Sequence, residues 1–244
     1  MTASTGQIAV GTTALPSEPD CLVRCYVVRG TTLAISDTAQ SAASEWIANE
    51  LRRDEYRLHR IDFRAGDVII DVGAHVGLCA LYIAKQFPDV SVIAIEPDPV
   101  NFRNLEINIA LNEVDNVVTQ FCAVTKDRRP FPITSPPYNT GGAGGYYTQV
   151  NGYRRSIARS VTLDDIFETH GIERCKLLKM DCEGAEHEIL PNTRVLGRVG
   201  WLSGEFHINE FLRQQGCSSE QLMAVVQASI PPERLAIKSI SMGE

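Results

Sequence analysis

The sequence predicts an α/β protein whose mostly parallel sheet is doubly wound, with helices on both faces. Three observations carry that expectation. Residues 67–99, DVIIDVGAHVGLCALYIAKQFPDVSVIAIEPDP, read as strand, glycine turn, helix and second strand, which is the βαβ unit of a parallel sheet. Further short apolar runs alternate with amphipathic stretches toward the C-terminus, as repeated crossovers require. Finally, 244 residues at 44% hydrophobic content are enough for one substantial core, and chains of roughly this length commonly form one domain.

The glycine turn is the first candidate site. Val68, Ile69 and Ile70 form a β-branched apolar run bounded by Gly66 and Gly73, as suits a buried parallel strand. Gly73 and Gly77 flank the turn, where glycine permits unusual backbone angles and a close approach of ligand to main chain. A helix expected over 76–87 offers its unsatisfied N–H groups there. The second strand, 91–95, ends at Glu96, and an acid about twenty residues past such a turn can accept hydrogen bonds from both hydroxyls of a ribose. The implied ligand contains a nucleoside. A dinucleotide fingerprint needs G-x-G-x-x-G, yet Ala74 and His75 follow Gly73, giving D-x-G-x-x-x-G and making a nicotinamide cofactor the weaker reading. The pattern resembles the first motif of class I S-adenosylmethionine-dependent methyltransferases, whose acid at the position of Asp71 faces the amino-acid end of the ligand.

Composition narrows the partners. The formal net charge of −7 argues against nucleic acid, whose binders show a basic footprint, and points to small molecules. No apolar run approaches the roughly 18–20 residues of a membrane span, and the N-terminus lacks a basic start followed by an apolar core. The expectation is a cytoplasmic protein with no membrane contact. Seven cysteines without paired metal spacing read as reduced, mostly buried thiols.

In chain order, residues 1–20 are rich in Thr, Ser, Gly and Pro and read as a flexible leader to a single domain over 21–244. Residues 22–28 and 32–35 flank Gly30 as a hairpin. Trp46, Ile47, Leu51 and Leu58 recur near helical spacing over 44–58, giving a helix packed outside the sheet or, with Tyr56, a lid. Pro97 and Pro99 stop the second strand. Phe102, Leu105, Ile109 and Leu111 then give the next helix a buried stripe, and residues 117–124 read as a third strand whose end, Cys122 and Ala123, lies near the place of an adenine ring in this fold. Residues 66–125 form the donor-binding half. Over 126–160 the regular pattern fails amid proline, glycine and tyrosine, as in a binding loop or lid over the acceptor pocket that orders when substrate binds, with Tyr138, Tyr146, Tyr147 and Tyr153 as flat surfaces for a substrate. Thr162 opens a short helix, and residues 161–244 form the acceptor-side half.

The chemistry concentrates in KLLKMDCEGAEHEIL. Strand alternation from Leu177 puts Lys179, Asp181 and Glu183 on one side, and a fifth strand over 200–208 brings Glu205 and His207 to its carboxyl end, so the two clusters should converge where open α/β sheets bind ligands. After a helix over 218–230, residues 234–240 supply one last strand. That leaves the sheet edge shortened or completed by a second copy of the chain.

The blocks DVGAHVG, AIEPDPVNFRNLEINIALN, SVTLDDI, KMDCEGAE and GEFH together resemble the FkbM family of methyltransferases, over about residues 67–207. The resemblance implies a class I Rossmann-like fold, S-adenosylmethionine as methyl donor, and O-methylation of a sugar, polyketide or related metabolite as the small-molecule acceptor. His75 departs from the family, which more often has Asn there. On this reading Asp71, Gly73, Ala74, His75, Gly77, Glu96, Pro97, Cys122 and Ala123 surround the donor. Lys179, Asp181 and His207 act on the acceptor, with His207 or Lys179 as the base. Asp181, Glu183, Glu205 and His207 also suit Mg²⁺ or Mn²⁺ and admit Zn²⁺, while an ion pair with Lys179 satisfies the same charges. The alternatives are a nicotinamide oxidoreductase and a non-catalytic module that binds the donor.

Overall fold

The computed structural model describes residues 20–136, 138–146 and 152–241; Tyr147 and the expected leader up to residue 19 lie outside them. The chain opens with an antiparallel hairpin, β1 (Cys21–Val28) and β2 (Thr31–Thr38), turned at Arg29 and Gly30. Helix α1 (Ala43–Arg53) follows, ending at Asp54 in the left-handed region. Then come β3 (Val68–Val72), α2 (Leu78–Gln86), β4 (Ser91–Ile95), α3 (Pro99–Asn112) and β5 (Val117–Gln120). The third strand thus breaks at Gln120, and β6 (Ala123–Val124) leaves the main sheet.

The insertion is more regular than its composition suggests. Its strands β7 (Phe131–Ser135) and β8 (Arg154–Ala158) form an antiparallel hairpin, and β9 (Ser160–Val161) pairs with β6. Helix α4 (Leu163–Thr169) starts at a reciprocal cap between Thr162 and Asp165, which satisfies two end groups at once. Strand β10 (Cys175–Met180), the single turn α5 (Glu186–Ile189), β11 (Val199–Ile208), α6 (Glu210–Gln214), α7 (Ser219–Gln227) and β12 (Leu235–Ser241) complete the chain.

Six strands form one sheet in the order β12, β11, β10, β3, β4, β5, with every pairing parallel. The one last strand expected near the C-terminus is β12, which joins β11 in parallel at the sheet edge. Alternation divides the core between two faces. Ile70, Ile93, Leu178 and Leu202 meet α4 and α7 on one side, whereas Ile69, Val92 and Leu177 meet the hairpin, α1 and α2 on the other. Strand order reverses between β3 and β10, and the crevice beyond their carboxyl ends is the expected ligand position.

Helix α3 bears out part of the expected apolar stripe: Leu105 is buried and Phe102 and Ile109 pack against the core, but asparagines supply most of its buried face. Its buried residues are Asn101, Asn104, Leu105, Asn108 and Asn112, while Leu111 is exposed. The asparagines serve the open edge of β2. Ala34 N donates to Asn112 Oδ1 at 3.0 Å and Asn112 Nδ2 returns a bond to Ala34 O at 2.7 Å; Ser36 N and O pair in the same way with Asn108 at 2.6 and 3.0 Å. Side-chain amides thereby supply the donors and acceptors that a neighbouring strand would have offered. On α1, Leu51 is buried as expected but Trp46 is exposed. Two of the seven cysteines, Cys21 and Cys25, are exposed and only Cys79, Cys122 and Cys175 are fully buried; none forms a disulfide. No helix among the described residues is long and apolar enough to cross a membrane.

Candidate active site

Two adjoining cavities open at the carboxyl ends of β3, β4 and β10. The first, the β4 cavity, is walled by Glu96, Pro97 and Asn101, by the apolar Ile95, Cys122, Ala123 and Val124, and by insertion residues including Phe131, Ile133 and Ala143. The second, the α1 cavity, lies between Trp46, Ile47 and Glu50 of α1 and the acidic residues Asp181, Glu183 and Glu205, with Tyr56, Ala74 and Lys179. Gly73, His75, Gly141 and Asp181 line both.

Gly73 is required by packing as much as by any ligand. At φ +77° a Cβ there would lie 1.8 Å from the carbonyl oxygen of Asp181, so only glycine lets β10 run this close to the turn. Gly77 lines neither cavity: it caps α2 at φ +89°, where a Cβ would meet Leu105 Cδ1 at 2.4 Å. Ala74 faces the α1 cavity rather than the β4 cavity.

Glu96 binds the turn from below. One carboxylate oxygen accepts from His75 N at 2.8 Å and the other from Asp98 N at 2.9 Å. Burial, then the neighbouring Asp98, push its pKa up to about 8. Asn101 donates through Nδ2 to Thr140 O at 2.9 Å, leaving a buried Oδ1 with no hydrogen-bond partner among the described residues. Sequence reasoning passed over Asn101, although it stands in the quoted block five residues after Glu96.

Asp71 is fully buried and lines neither cavity. Its Oδ1 lies 3.1 Å from Lys179 Nζ, which also donates to Gly73 O at 2.9 Å and lies 3.8 Å from Asp181. The first-motif acid therefore holds a lysine in place instead of reaching toward a cavity. Burial works to lower the Lys179 pKa, but Asp71 and then Asp181 outweigh it and keep the ammonium charged well above the usual range.

The acids on β10 and β11 converge as expected, and on His207. Its Nε2 lies 3.3 Å from Glu205, 3.8 Å from Asp181 and 3.9 Å from Glu183, while Nδ1 lies 3.4 Å from Glu186. Glu183 arrives through a left-handed turn at φ 55° rather than by strand alternation, which ends at Met180. Glu186, the second Glu of the EGAE motif, is the residue sequence reasoning left unassigned. It is fully buried and fixed by Cys182 N at 2.8 Å and Gly184 N at 2.9 Å. Burial opposes protonation of His207, but Glu186 and Glu205 overcome it and push the pKa up to about 12. His207 lines neither cavity, so the expectation that it takes a substrate proton gives way to a buried cation that gathers carboxylates. One donor atom from each of Asp181, Glu205 and His207 lies within 4.8 Å of the others; Glu183 stands outside that group.

The insertion contributes differently from the expectation. Tyr138 and Tyr153 bond each other at 2.7 Å on the surface and Tyr146 packs on Phe131; none of the three lines either cavity, whereas Tyr56 does. The insertion walls the β4 cavity more than the α1 cavity. Its anchor is Thr140, whose Oγ1 lies 2.6 Å from His75 Nε2, 2.8 Å from Ser41 Oγ and 3.0 Å from Asp37 Oδ1.

Compared with known proteins, residues 71–216 match the methyltransferase FkbM domain. The chain belongs to that family. Methyltransferase 1 of Beauveria bassiana is 25% identical over 140 residues, covering 50% of this chain and 56% of that protein. The 31-O-demethyl-FK506 methyltransferase FkbM of Streptomyces tacrolimicus is 30% identical over 176 residues, covering 60% of this chain and 67% of that protein. The chain thus spans between about half and two thirds of the length of these two relatives. Among solved structures, M. jannaschii TYW2 in complex with AdoMet aligns at 23% identity with a TM-score of 0.33, covering 44% of this chain and 45% of that one. The six-stranded sheet is the class I Rossmann-like arrangement anticipated for the family, here with every one of its pairings parallel.

Proposed function

We propose that the chain transfers a methyl group from S-adenosylmethionine to a hydroxyl of a small molecule, with the donor in the β4 cavity and the acceptor in the α1 cavity. The observation that supports this reading is the junction of the two cavities at Gly73, His75, Gly141 and Asp181, an opening through which a donor bound in one could meet a nucleophile bound in the other. The 31-O in the name of the Streptomyces relative supports oxygen as the nucleophile. Glu96 and the unsatisfied Asn101 Oδ1 face the place of the ribose, and the apolar wall with Cys122 and Ala123 suits adenine. Asp71 acts through Lys179, which steadies the turn at Gly73 and holds Asp181 at the junction. Methyl transfer is an in-line displacement, and fixing the two reactants at the junction can remove several kcal/mol of barrier.

Calorimetry with S-adenosylmethionine, S-adenosylhomocysteine and NAD separates this reading from its alternatives: binding of NAD alone supports an oxidoreductase, and donor binding without turnover supports a non-catalytic module. Above pH 8, where Glu96 is ionised, replacing it with Ala is expected to weaken donor binding by about 1.5–3 kcal/mol, the worth of a hydrogen bond to a charged group. Unchanged affinity in a folded variant would reject the ribose contact. The protonated acid predominates below its pKa of about 8, and the ionised form is the better acceptor for two hydroxyls. Donor affinity should therefore rise as pH climbs through 8, and a Glu96→Gln variant should lose that rise.

The donor group formed by Asp181, Glu205 and His207 favours a second reading of the acidic cluster, as a divalent-cation site. Their carboxylate oxygens and imidazole nitrogen suit Mg²⁺ or Mn²⁺, which would lower the pKa of an acceptor hydroxyl when bound. His207 would have to surrender a proton to Glu186 or solvent to serve. Loss of turnover after exhaustive chelation, with rescue by Mg²⁺ or Mn²⁺, is the outcome this second reading expects. Full turnover in metal-stripped protein rejects it and leaves the His207 imidazolium as the resident cation.

A further inference from the structure

We propose that His75 is the proton acceptor of the transfer, taking the acceptor hydroxyl's proton on Nδ1. The proposal rests on the hydroxyl-methylation reading above and adds the residue that removes the proton. His75 is one of the four residues common to both cavities. It is 5% exposed, and its Nδ1 is a buried atom with no hydrogen-bond partner among the described residues. Everything else about the residue is fixed: the backbone sits at φ 54°, its N–H is held by Glu96 at 2.8 Å, and Nε2 lies 2.6 Å from Thr140 Oγ1.

The hydrogen-bond order assigns the tautomer. Thr140 has one hydroxyl proton, and Asp37 Oδ1, an acceptor only, lies 3.0 Å away. Once that proton points at Asp37, Thr140 Oγ1 can only accept, so His75 Nε2 carries the ring proton and Nδ1 presents a lone pair. The opposite tautomer would bury an N–H donor without an acceptor, which folded proteins avoid more strictly than an unused lone pair. The relay Nδ1, Nε2–H, Thr140, Asp37 can then support a positive imidazole, because fully buried Asp37 stands at its end.

The other candidates are committed elsewhere. Lys179 is occupied by Asp71 and Gly73 O, His207 lines neither cavity, and Asp181 lies 3.8 Å from each of those two cations. The balance closes within the site. The acceptor O–H bond breaks with its proton passing to Nδ1, the oxygen lone pair forms the O–CH₃ bond, and the S–CH₃ pair returns to sulfur, leaving neutral S-adenosylhomocysteine and protonated His75. The titratable groups facing His75 are Asp37 from β2, Glu96 and Asp98 after β4, Lys179 from β10 and Asp181 just after it. Burial, opposed by Asp37, holds the ring below the ordinary imidazole range, so it is neutral and ready to accept at neutral pH.

Two measurements test this. In nitrogen-15 histidine-labelled protein, free and saturated with S-adenosylhomocysteine, long-range proton–nitrogen correlation at neutral pH should show His75 as the Nε2–H tautomer; an Nδ1–H tautomer or an imidazolium overturns the proposal. The kinetic measurement uses methyl α-glucopyranoside and cyclohexanol as probe acceptors and reads S-adenosylhomocysteine release. His75→Asn tolerates the left-handed backbone; at saturating donor, where the Glu96-linked change in affinity does not register, it should lower kcat by about 10²–10⁴ and abolish the acid limb of the kcat profile. His75→Gly should recover turnover with added imidazole, a rescue that a purely structural role would not give. A wild-type rate with an unchanged acid limb in His75→Asn overturns the role of His75 alone, whereas failure of the wild type to bind S-adenosylmethionine overturns the underlying reading instead.

Discussion

Replacing Lys179 with Met is expected to cost about 3–5 kcal/mol of unfolding free energy, the usual consequence of removing one partner from a buried ion pair. Asp71 is the reason. It is fully buried, both of its oxygens lack hydrogen-bond geometry to any described residue, and the Lys179 ammonium at 3.1 Å is its compensating charge. A double variant, Asp71→Asn with Lys179→Met, removes both charges and should recover much of the loss, since buried pairs replaced together are often nearly neutral in stability. Urea unfolding of the three variants and the wild type gives the coupling directly. A Lys179→Met cost below about 1 kcal/mol, the range of exposed pairs, would show that Asp71 has another route to neutrality.

The second large effect belongs to Glu186. Glu186→Gln removes the fully buried charge that faces His207 Nδ1, and a loss of about 3–5 kcal/mol is expected at neutral pH. Its pH dependence carries a sign that follows from linkage. The folded-state pKa of His207 is raised to about 12, so the stabilisation is fully present below the unfolded value of about 6.5 and is lost as pH rises toward 12. His207, through hydrogen bonding and charge, outweighs burial to lower the folded-state pKa values of Glu186 and Glu205, so their contribution is present above the unfolded glutamate range and is lost as pH falls. In chelator-treated protein the wild type should therefore lose stability above about pH 6.5, and the Glu186→Gln variant should lose it less steeply. Parallel slopes for the two proteins would remove His207 from the alkaline limb.

Much of the fold was legible because local periodicity reports it. The β-branched run at Val68 to Ile70, the alternation that continues from Leu177, and the proline stops after Glu96 each announce an element whose type does not depend on distant contacts. The errors share a different cause. Leu105 of α3 is buried as the stripe required, but Leu111 is not, because the helix also faces the open edge of β2, where asparagine amides satisfy backbone groups and leucine would leave them unmet. Trp46 fits a helical spacing, yet it lies at the rim of the α1 cavity, not beneath the helix. The insertion's proline and glycine hid a hairpin because its pairing joins residues 131–135 to 154–158 across a long connection, beyond the reach of any local signal.

The candidate site divides along the same line. The sequence by itself determined the parallel α/β class, the family, and which chemical groups reach the ends of β10 and β11, since strand period and motif order require only neighbouring residues. Tertiary structure alone decided which charges meet. Asp71 pairs with Lys179 because β3 and β10 are neighbours in register, and His207 draws in Glu186 because a turn after β10 folds back over β11. His75 meets Thr140 and Asp37, from the insertion and the N-terminal hairpin, over the end of the sheet. Electrostatic energy in a buried site depends on separations of a few ångströms and on exclusion of water, and both are set by strand register and loop packing among residues far apart in the chain.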